Sequence, residues 1–311
     1  MTSILVTAVG GDIGQALVSI IRKHRIADQV YGSDISLTHG GKYEVDCFLQ
    51  SPGAEDSVYV DWLNDITSQN GINLVVPVND FEIQKLKSIE FNSTKFIMPN
   101  VQSIEVGFDK YHTFKFLESV GIPTPKTYLP DAYSDLIFPV LIKPRKGRGS
   151  RGLFICKNTE EMKHYEAVSN DYLIQEVLVP SSEEYTCGVF RSSKGEVRTV
   201  VFLRKLTGGQ TSWAQVIESE EISTLCKILA SSLNLIGSIN VQLILTVKGP
   251  KIFEINSRFS STVAMRDELG FHDFLWAIQD AQNQSISDYH PPKSGVEVYK
   301  LARVKVGANV E

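Results

Sequence analysis

The fold is decided by Ser238-Ile239-Asn240-Val241-Gln242-Leu243-Ile244-Leu245, the short turn Val247-Lys248-Gly249, and Lys251-Ile252-Phe253-Glu254-Ile255-Asn256-Ser257-Arg258-Phe259. Side chains alternate between the two faces of a strand. Asn240 and Gln242 therefore share one face of the first run, against Ile239, Val241 and Leu243. Glu254, Asn256 and Arg258 share one face of the second, with Phe253 and Ile255 opposite. A three-residue turn centred on Lys248 sets Gln242 across from Glu254. A two-residue turn slips the register by one and sets Gln242 against an apolar side chain. The expected patch is Asn240, Gln242, Glu254, Asn256 and Arg258. Oxygen donors with little charge suit magnesium, which keeps several waters and shares substrate phosphates, and Arg258 is placed to steady phosphoryl charge. The competing reading is a polar, solvent-facing sheet.

Upstream lies Lys143-Pro144-Arg145-Lys146-Gly147-Arg148-Gly149-Ser150-Arg151-Gly152, with three glycines and five cations between strand-like runs. Glycines let backbone N–H groups approach an anion. Lys143 ends an apolar strand, where an unpaired ammonium is costly and an anionic ligand relieves the cost. The stretch lacks the GxxxxGK[ST] spacing of a Walker A loop. Its alternative is a solvated hairpin tip.

Farther out, residues 1–105 alternate strand and helix. Residues 4–8, 30–34, 74–78 and 95–99 read as strands. Helical patterns follow residue 14 and cover 62–68 and 81–89, which implies a parallel sheet covered on both faces. The first strand runs into Val9-Gly10-Gly11-Asp12-Ile13-Gly14, and Asp34 follows Gly14 by 20 residues. That is where an acidic residue holds a ribose hydroxyl in a dinucleotide fold. The spacing is not GxGxxG, so a tight turn with no cofactor, or a substrate-side role, is the competing reading. The first helix ends in Arg22-Lys23-His24-Arg25, cations that complement its dipole. A helix over 109–120 stops at Gly121. Strands over 138–143, 152–156 and 172–177 surround a helix near 160–167. The last third reads as antiparallel strands over 186–191, 197–203, 238–245 and 251–256, interrupted by a helix over 220–233.

Composition narrows the classes. A chain of 311 residues exceeds one ordinary core. A net charge of −5 is unlike a duplex nucleic-acid binder, and no apolar run reaches the ~18 residues of a membrane span. Cys47, Cys156, Cys187 and Cys226 form no CxxC and read as unpaired thiols of a reducing, cytoplasmic compartment. The N-terminus reads as a strand, with no signal peptide.

In order along nearly the whole chain, these residues resemble the ATP-grasp ligases. The likeness is nearest to carbamoyl-phosphate-synthetase-like members and to amino-acid ligases such as the pyrrolysine-biosynthesis ligase. It implies an α/β and α+β chain: a Rossmann-like pre-ATP-grasp domain over 1–105, a lid subdomain with the glycine-rich loop over 106–174, and a C-terminal subdomain with the metal site over 175–311. Asp109-Lys110, Phe114-Lys115-x-Leu117 and Gly121-Ile122-Pro123-x-Pro125 are similar to the entry into the grasp. Lys110 and Lys143 match its two ATP cations, and Gly147, Gly149 and Ser150 match its loop over the phosphates. Gln175-Glu176-Val177-Leu178 matches the adenine hinge and Glu184 the ribose carboxylate, with Glu183 as competitor. Phe253-Glu254-Ile255-Asn256-Ser257-Arg258 is similar to the magnesium signature, with Ser257 where a proline is usual. Gln242, Glu254 and Asn256 are then the metal ligands. Gly10, Gly11, Asp80 and Glu82 are substrate-side groups. Arg258 and Lys143 are catalytic, with Arg204 as the contact to a carboxylate substrate.

The implied activity is ATP-dependent carboxylate–amine ligation through an acyl phosphate, with Mg2+ (or Mn2+) and ATP between the two grasp subdomains. The implied partners are a small carboxylate and a small amine, without nucleic acid or membrane, and a homodimer is compatible. Two other readings stay open: an NAD-dependent oxidoreductase using the early glycines and Asp34, and a non-catalytic nucleotide-binding protein.

Overall fold

The computed structural model describes residues 2–130, 132, 136–147, 152–166 (backbone only for 164–166), 171–179, 183–301 and 304. The N-terminal elements are β1 (Ser3–Val6), α1 (Asp12–His24), β2 (Gln29–Asp34), β3 (Cys47–Gln50), α2 (Tyr59–Gln69), β4 (Leu74–Val76), α3 (Asp80–Leu86) and β5 (Lys95–Phe96). The five strands make a sheet in the order β3-β2-β1-β4-β5, with neighbours parallel. Ile4 and Val6 pack with Leu17, Val18 and Ile21 of α1. Leu5, between them, packs with Tyr59 and Leu63 of α2. Strand alternation thus covers both faces with helices, as the apolar runs imply. β1 ends at Val6 because Ala8 turns into a left-handed φ of 50°.

Two helices lead on, α4 (Val101–Phe108) and α5 (Lys110–Ser119). Asp109 separates them. Its carboxylate accepts the Tyr111 N–H at 2.8 Å and caps α5. Next come β6 (Thr127–Tyr128), β7 (Val140–Pro144), β8 (Phe154–Cys156), α6 (Thr159–Glu166) and β9 (Tyr172–Glu176). They form an antiparallel sheet in the order β6-β9-β7-β8.

The third sheet has the order β14-β13-β10-β11-β12-β15. Its elements are β10 (Glu184–Arg191), β11 (Val197–Thr207), β12 (Gln210–Val216), α7 (Glu220–Ser232), β13 (Gly237–Thr246), β14 (Gly249–Asn256), α8 (Val263–Glu268), α9 (Asp273–Ala281) and β15 (Glu297–Tyr299). Cys187, Val201, Val241 and Ile255 face α7. The opposite face is divided. Phe190, Val200 and Phe202 join α8, α9 and the N-terminal sheet in one apolar cluster, while Glu184, Arg204, Gln242 and Glu254, on the same side of the strands, form a polar surface.

The β13–β14 turn differs from expectation. Thr246 pairs with Gly249, so the turn has two residues, yet Gln242 still pairs with Glu254 and Asn240 with Asn256. The register shifts between Gln242 and Leu243, where Phe253 is the extra residue of a β-bulge. The bulge absorbs the slip that a two-residue turn introduces. It also reverses one face assignment: Ile252 and Ile255 enter the core, and Phe253 turns towards Lys143, whose Nζ stands 5.7 Å from the ring centroid.

Candidate functional site

Lys143 sits near the end of β7 after Val140-Leu141-Ile142 and is 3% exposed. Its Nζ lies 3.4 Å from the carbonyl oxygen of Phe253, the bulged residue. Burial pushes this ammonium down to about 8; Glu254 opposes the shift and Lys110 adds to it. Lys110, the first residue of α5, points its Nζ at the Gly147 carbonyl (3.0 Å) and at Glu254 Oε1 (3.7 Å). Two ammonium groups thus converge on a single carboxylate.

The other polar side chains form a row along the sheet. Glu184 and Gln242 both accept from the Arg204 guanidinium, at 2.5 and 2.9 Å. The Arg204 side chain is only 7% exposed, and its buried Nε has no hydrogen-bond partner among the described residues. Asn256 Oδ1 accepts from Arg258 at 3.3 Å, and Asp80, at the start of α3, accepts from Arg258 Nε at 2.8 Å. Lys110–Glu254, Glu184–Arg204–Gln242 and Asp80–Arg258–Asn256 are thus three neighbouring contact groups, with Gln242 and Glu254 brought side by side by the β13–β14 register. Asn240 lies behind it, buried, its Oδ1 accepting from Thr186 (3.0 Å) and Ser260 (2.9 Å). A cavity of 270 Å³ includes Arg258, Ile97, Met98, Ile236, Phe259 and Ala281 in its lining.

The oxygen set meets the demands of a hard divalent ion. Glu254 supplies a carboxylate, and Gln242 and Asn256 supply carbonyl oxygens. Each of these oxygens faces a cationic nitrogen, from Lys110, Arg204 and Arg258 respectively, so all three are already aimed at positive charge.

Gln175 is buried and donates to Thr127 Oγ1 at 2.8 Å. The Glu176 carboxylate takes Lys251 Nζ on both oxygens at 2.9 Å, which ties β9 to β14. Val177 and Leu178 follow β9 directly. Glu183 precedes β10 and is exposed. Gly147 ends a described stretch; Gly149 and Ser150 lie outside the described residues. At the early turn, the Gly10 N–H donates to Asp34 Oδ2 and the Ser36 N–H to Oδ1, both at 2.9 Å. A Cβ on Gly10 would stand 2.7 Å from Asp34 Oδ2, so a side chain there would displace the Asp34 carboxylate. Asp34 thus serves the turn itself, and Gly11 donates to the Ala8 carbonyl at 3.0 Å. Glu82 is buried inside the N-terminal unit. It accepts from Thr7 Oγ1 at 2.6 Å, from the Tyr59 hydroxyl and from the Asn79 N–H in a capping box, and burial pushes its carboxyl up.

Residues 108–262 match the family model for the ATP-grasp domain. This part of the chain is an ATP-grasp domain. The D-alanine–D-alanine ligase of Fusobacterium nucleatum is 36% identical over 95 residues, 30% of this chain and 32% of that protein. The carbamoyl phosphate synthase large chain of Thermoplasma volcanium is 25% identical over 269 residues, 78% of this chain and 24% of that protein. The chain thus spans about a third and a quarter of the lengths of these two relatives. A solved N5-carboxyaminoimidazole ribonucleotide synthetase in complex with ADP superposes with a TM-score of 0.75 at 17% identity, covering 94% of this chain and 79% of its own. The biotin carboxylase domain of the Hydrogenobacter thermophilus 2-oxoglutarate carboxylase, solved with Mg-ADP and bicarbonate, does so with a TM-score of 0.75 at 18% identity, covering 94% and 73%. These likenesses establish the expected fold, a parallel-sheet unit ahead of two antiparallel sheets.

Some contacts of the ATP-grasp domain were not read from sequence. Arg145 leaves β7 and pairs with Asp109 at 2.6 Å, and its carbonyl accepts the Lys110 N–H at 3.1 Å. This fixes the start of the basic loop against Asp109, the cap of the helix that Lys110 begins. Ser257 hydrogen-bonds the Ser103 carbonyl of α4, and a Cβ on Gly107 would stand 2.2 Å from Ser257 Oγ. Where the family usually has proline, this chain has a hydroxyl that holds α4, and a glycine that gives it room.

Proposed function

We propose that the chain is an ATP-dependent carboxylate–amine ligase that works through an acyl phosphate. One observation carries the reading: Lys110 and Lys143, one of them buried, face a single carboxylate, Glu254, so the site holds surplus positive charge that polyphosphate oxygens would neutralise. Lys110 and Lys143 are assigned to ATP phosphates, together with the loop through Gly147, Gly149 and Ser150. The adenine is assigned to the chain following Gln175 and Glu176, at Val177 and Leu178, since both of those side chains are engaged within the protein. Glu184 is assigned to the ribose, where it must exchange or share its Arg204 contact.

Gln242, Glu254 and Asn256 are assigned to Mg2+, with Mn2+ as an alternative ion; when bound, the ion would supply neutralisation of phosphate charge. A substrate carboxylate oxygen attacks the γ-phosphorus and ADP leaves. The amine then attacks the acyl carbon, phosphate leaves, and the nitrogen gives up a proton. Arg258 steadies the transferring phosphoryl group, oriented by Asp80. Arg204 is a weaker assignment for the carboxylate substrate, being held by Glu184 and Gln242. The cavity beside Arg258, lined on the side of the N-terminal sheet by Pro77, Phe96 and Ile97, is the space assigned to the acid. The division at 1–105, 106–174 and 175–311 fits these roles. Small carboxylates and amines are the partners assigned; cytoplasmic residence and a homodimer belong to the same proposal. No described helix is long and apolar enough to cross a membrane.

The test is ADP release with Mg-ATP across a matrix of carboxylic acids and amines, beside calorimetric titration with NAD. Turnover that needs one acid and one amine supports the ligase. NAD binding without Mg-ATP binding supports the oxidoreductase, and Mg-ATP binding with no turnover for any pair supports the non-catalytic reading.

A further inference from the structure

The basic end of α1, read from sequence as a complement to the helix dipole, does more than that. His24, its last residue, meets Asp267 of α8 and His272, the residue that caps α9. His24 Nε2 lies 2.9 Å from Asp267 Oδ1, and His272 Nδ1 lies 2.8 Å from the same oxygen. The two imidazoles stand edge to face, their centroids 5.0 Å apart. The three donor atoms lie within 4.8 Å of one another. Asp267 is 4% exposed at its side chain, while His24 and His272 are 22% and 25% exposed. The cluster thus has a buried floor and a solvent-side entrance.

We propose that His24, Asp267 and His272 form a binding site for a divalent transition-metal ion, zinc by its donor chemistry, that staples α1 to the α8–α9 junction. Two imidazoles and one carboxylate are a donor set zinc accepts at about 2.0–2.2 Å, with a fourth position left to water. Donors at those lengths in a tetrahedron stand about 3.3 Å apart, so the nitrogen–oxygen contacts need to open by only about half an ångström. Asp267 Oδ2 is held by Lys23 Nζ at 2.8 Å and also stands 3.0 Å from His24 Nε2, and Lys23 is held in turn by Glu268 at 2.9 Å. That arrangement anchors one oxygen and leaves Oδ1 to the ion, the role outer-shell partners play around metal-bound carboxylates. Lys23 is also the competing cation: its ammonium already satisfies part of Asp267. The three-ligand geometry separates the site from an ordinary ion pair, because a lysine pair needs no imidazole and this carboxylate has two. The site is remote in chemistry from the Glu254 cluster, uses nitrogen donors, and is independent of the ligase assignment.

The experiment is calorimetric titration of the full chain, stripped with chelator and held in excess Mg2+, with ZnCl2 alone, followed by Co2+ absorption spectroscopy. The expected result is one saturable Zn2+ per chain, a rise in Tm on adding Zn2+, and tetrahedral Co2+ ligand-field bands. His24→Gln and His272→Gln should each weaken Zn2+ binding ~100-fold or more and remove the Tm rise. The Co2+ spectrum of the unaltered chain reads the site without any variant, so a poorly folding substitution does not blunt the test. The absence of saturable Zn2+ binding, or binding unchanged in both variants, overturns the proposal and leaves the cluster as a hydrogen-bonded clamp.

Discussion

The Nζ of Lys143 points at the carbonyl of Phe253, 3.4 Å away, because Phe253 is the extra residue of a bulge in β14. The bulge does two things at once. It keeps Glu254 opposite Gln242 despite a two-residue turn, and it frees a carbonyl and an aromatic face for a buried ammonium. Fold irregularity and site chemistry meet in one residue.

Lys143→Met should stabilise the protein while removing nucleotide affinity. A lysine whose folded-state value is about 8, against 10.5 when unfolded, costs on the order of 3 kcal/mol at neutral pH. Between about pH 8 and 10.5 the unfolded chain binds more protons than the folded one, so wild-type stability rises with pH across that window. The methionine variant should melt several degrees higher at pH 7 and lose that rise. Thermal unfolding at a series of pH values checks it; an unchanged or lower Tm at pH 7 contradicts the burial cost.

Phosphate binding should reverse the shift. Mg-ATP would raise the Lys143 value and take up a proton, so affinity should fall as pH climbs above about 8. Titration calorimetry in buffers of different ionisation enthalpy measures the proton uptake directly. No uptake near pH 8 would place the phosphates elsewhere.

Glu254→Ala should leave folding intact, since the side chain is part-exposed and outside the core. ADP formation should drop by about 10²–10³-fold or more, the scale of losing one electrostatic contact at a reacting centre. A steady-state assay beside a circular dichroism melt separates the two effects, and retained activity with an unchanged melt refutes the metal assignment.

Deleting Phe253 should give a regular ladder in which Glu254 directly follows Ile252 and still faces Gln242. The chain should fold, yet Lys143 loses its carbonyl partner and its aromatic neighbour. We expect Mg-ATP affinity to fall ~10-fold, about the energy of one hydrogen bond to a charged group. A variant that does not fold would show that the bulge is needed for strand twist.

Much of the placement was readable from residues alone. Strand alternation put Asn240, Gln242, Glu254 and Asn256 on one surface, and the apolar run before Lys143 predicted its burial. The sequence reading also had the Gln242–Glu254 pair right while assuming the wrong turn, because alternation is blind to a bulge that inserts a residue and restores the register. It missed α4, a short helix whose Gly107 lies inside it rather than ending it, and it missed β12 and β15 at the far side of the sheet. Contacts such as Glu176 with Lys251, Arg145 with Asp109, and His24 with Asp267 join residues 75, 36 and 243 positions apart. No local pattern reports such pairs; they exist only once the sheets have packed.

The central claim is that the Lys110–Lys143–Glu254 cluster receives the phosphates of ATP. It is tested most directly by calorimetric titration of the intact chain with ATP in the presence of Mg2+, repeated on Lys143→Met and Glu254→Ala. The account predicts one site in the unaltered chain and a loss of affinity in both variants. No binding by the unaltered chain, or equal affinity in all three, would contradict it.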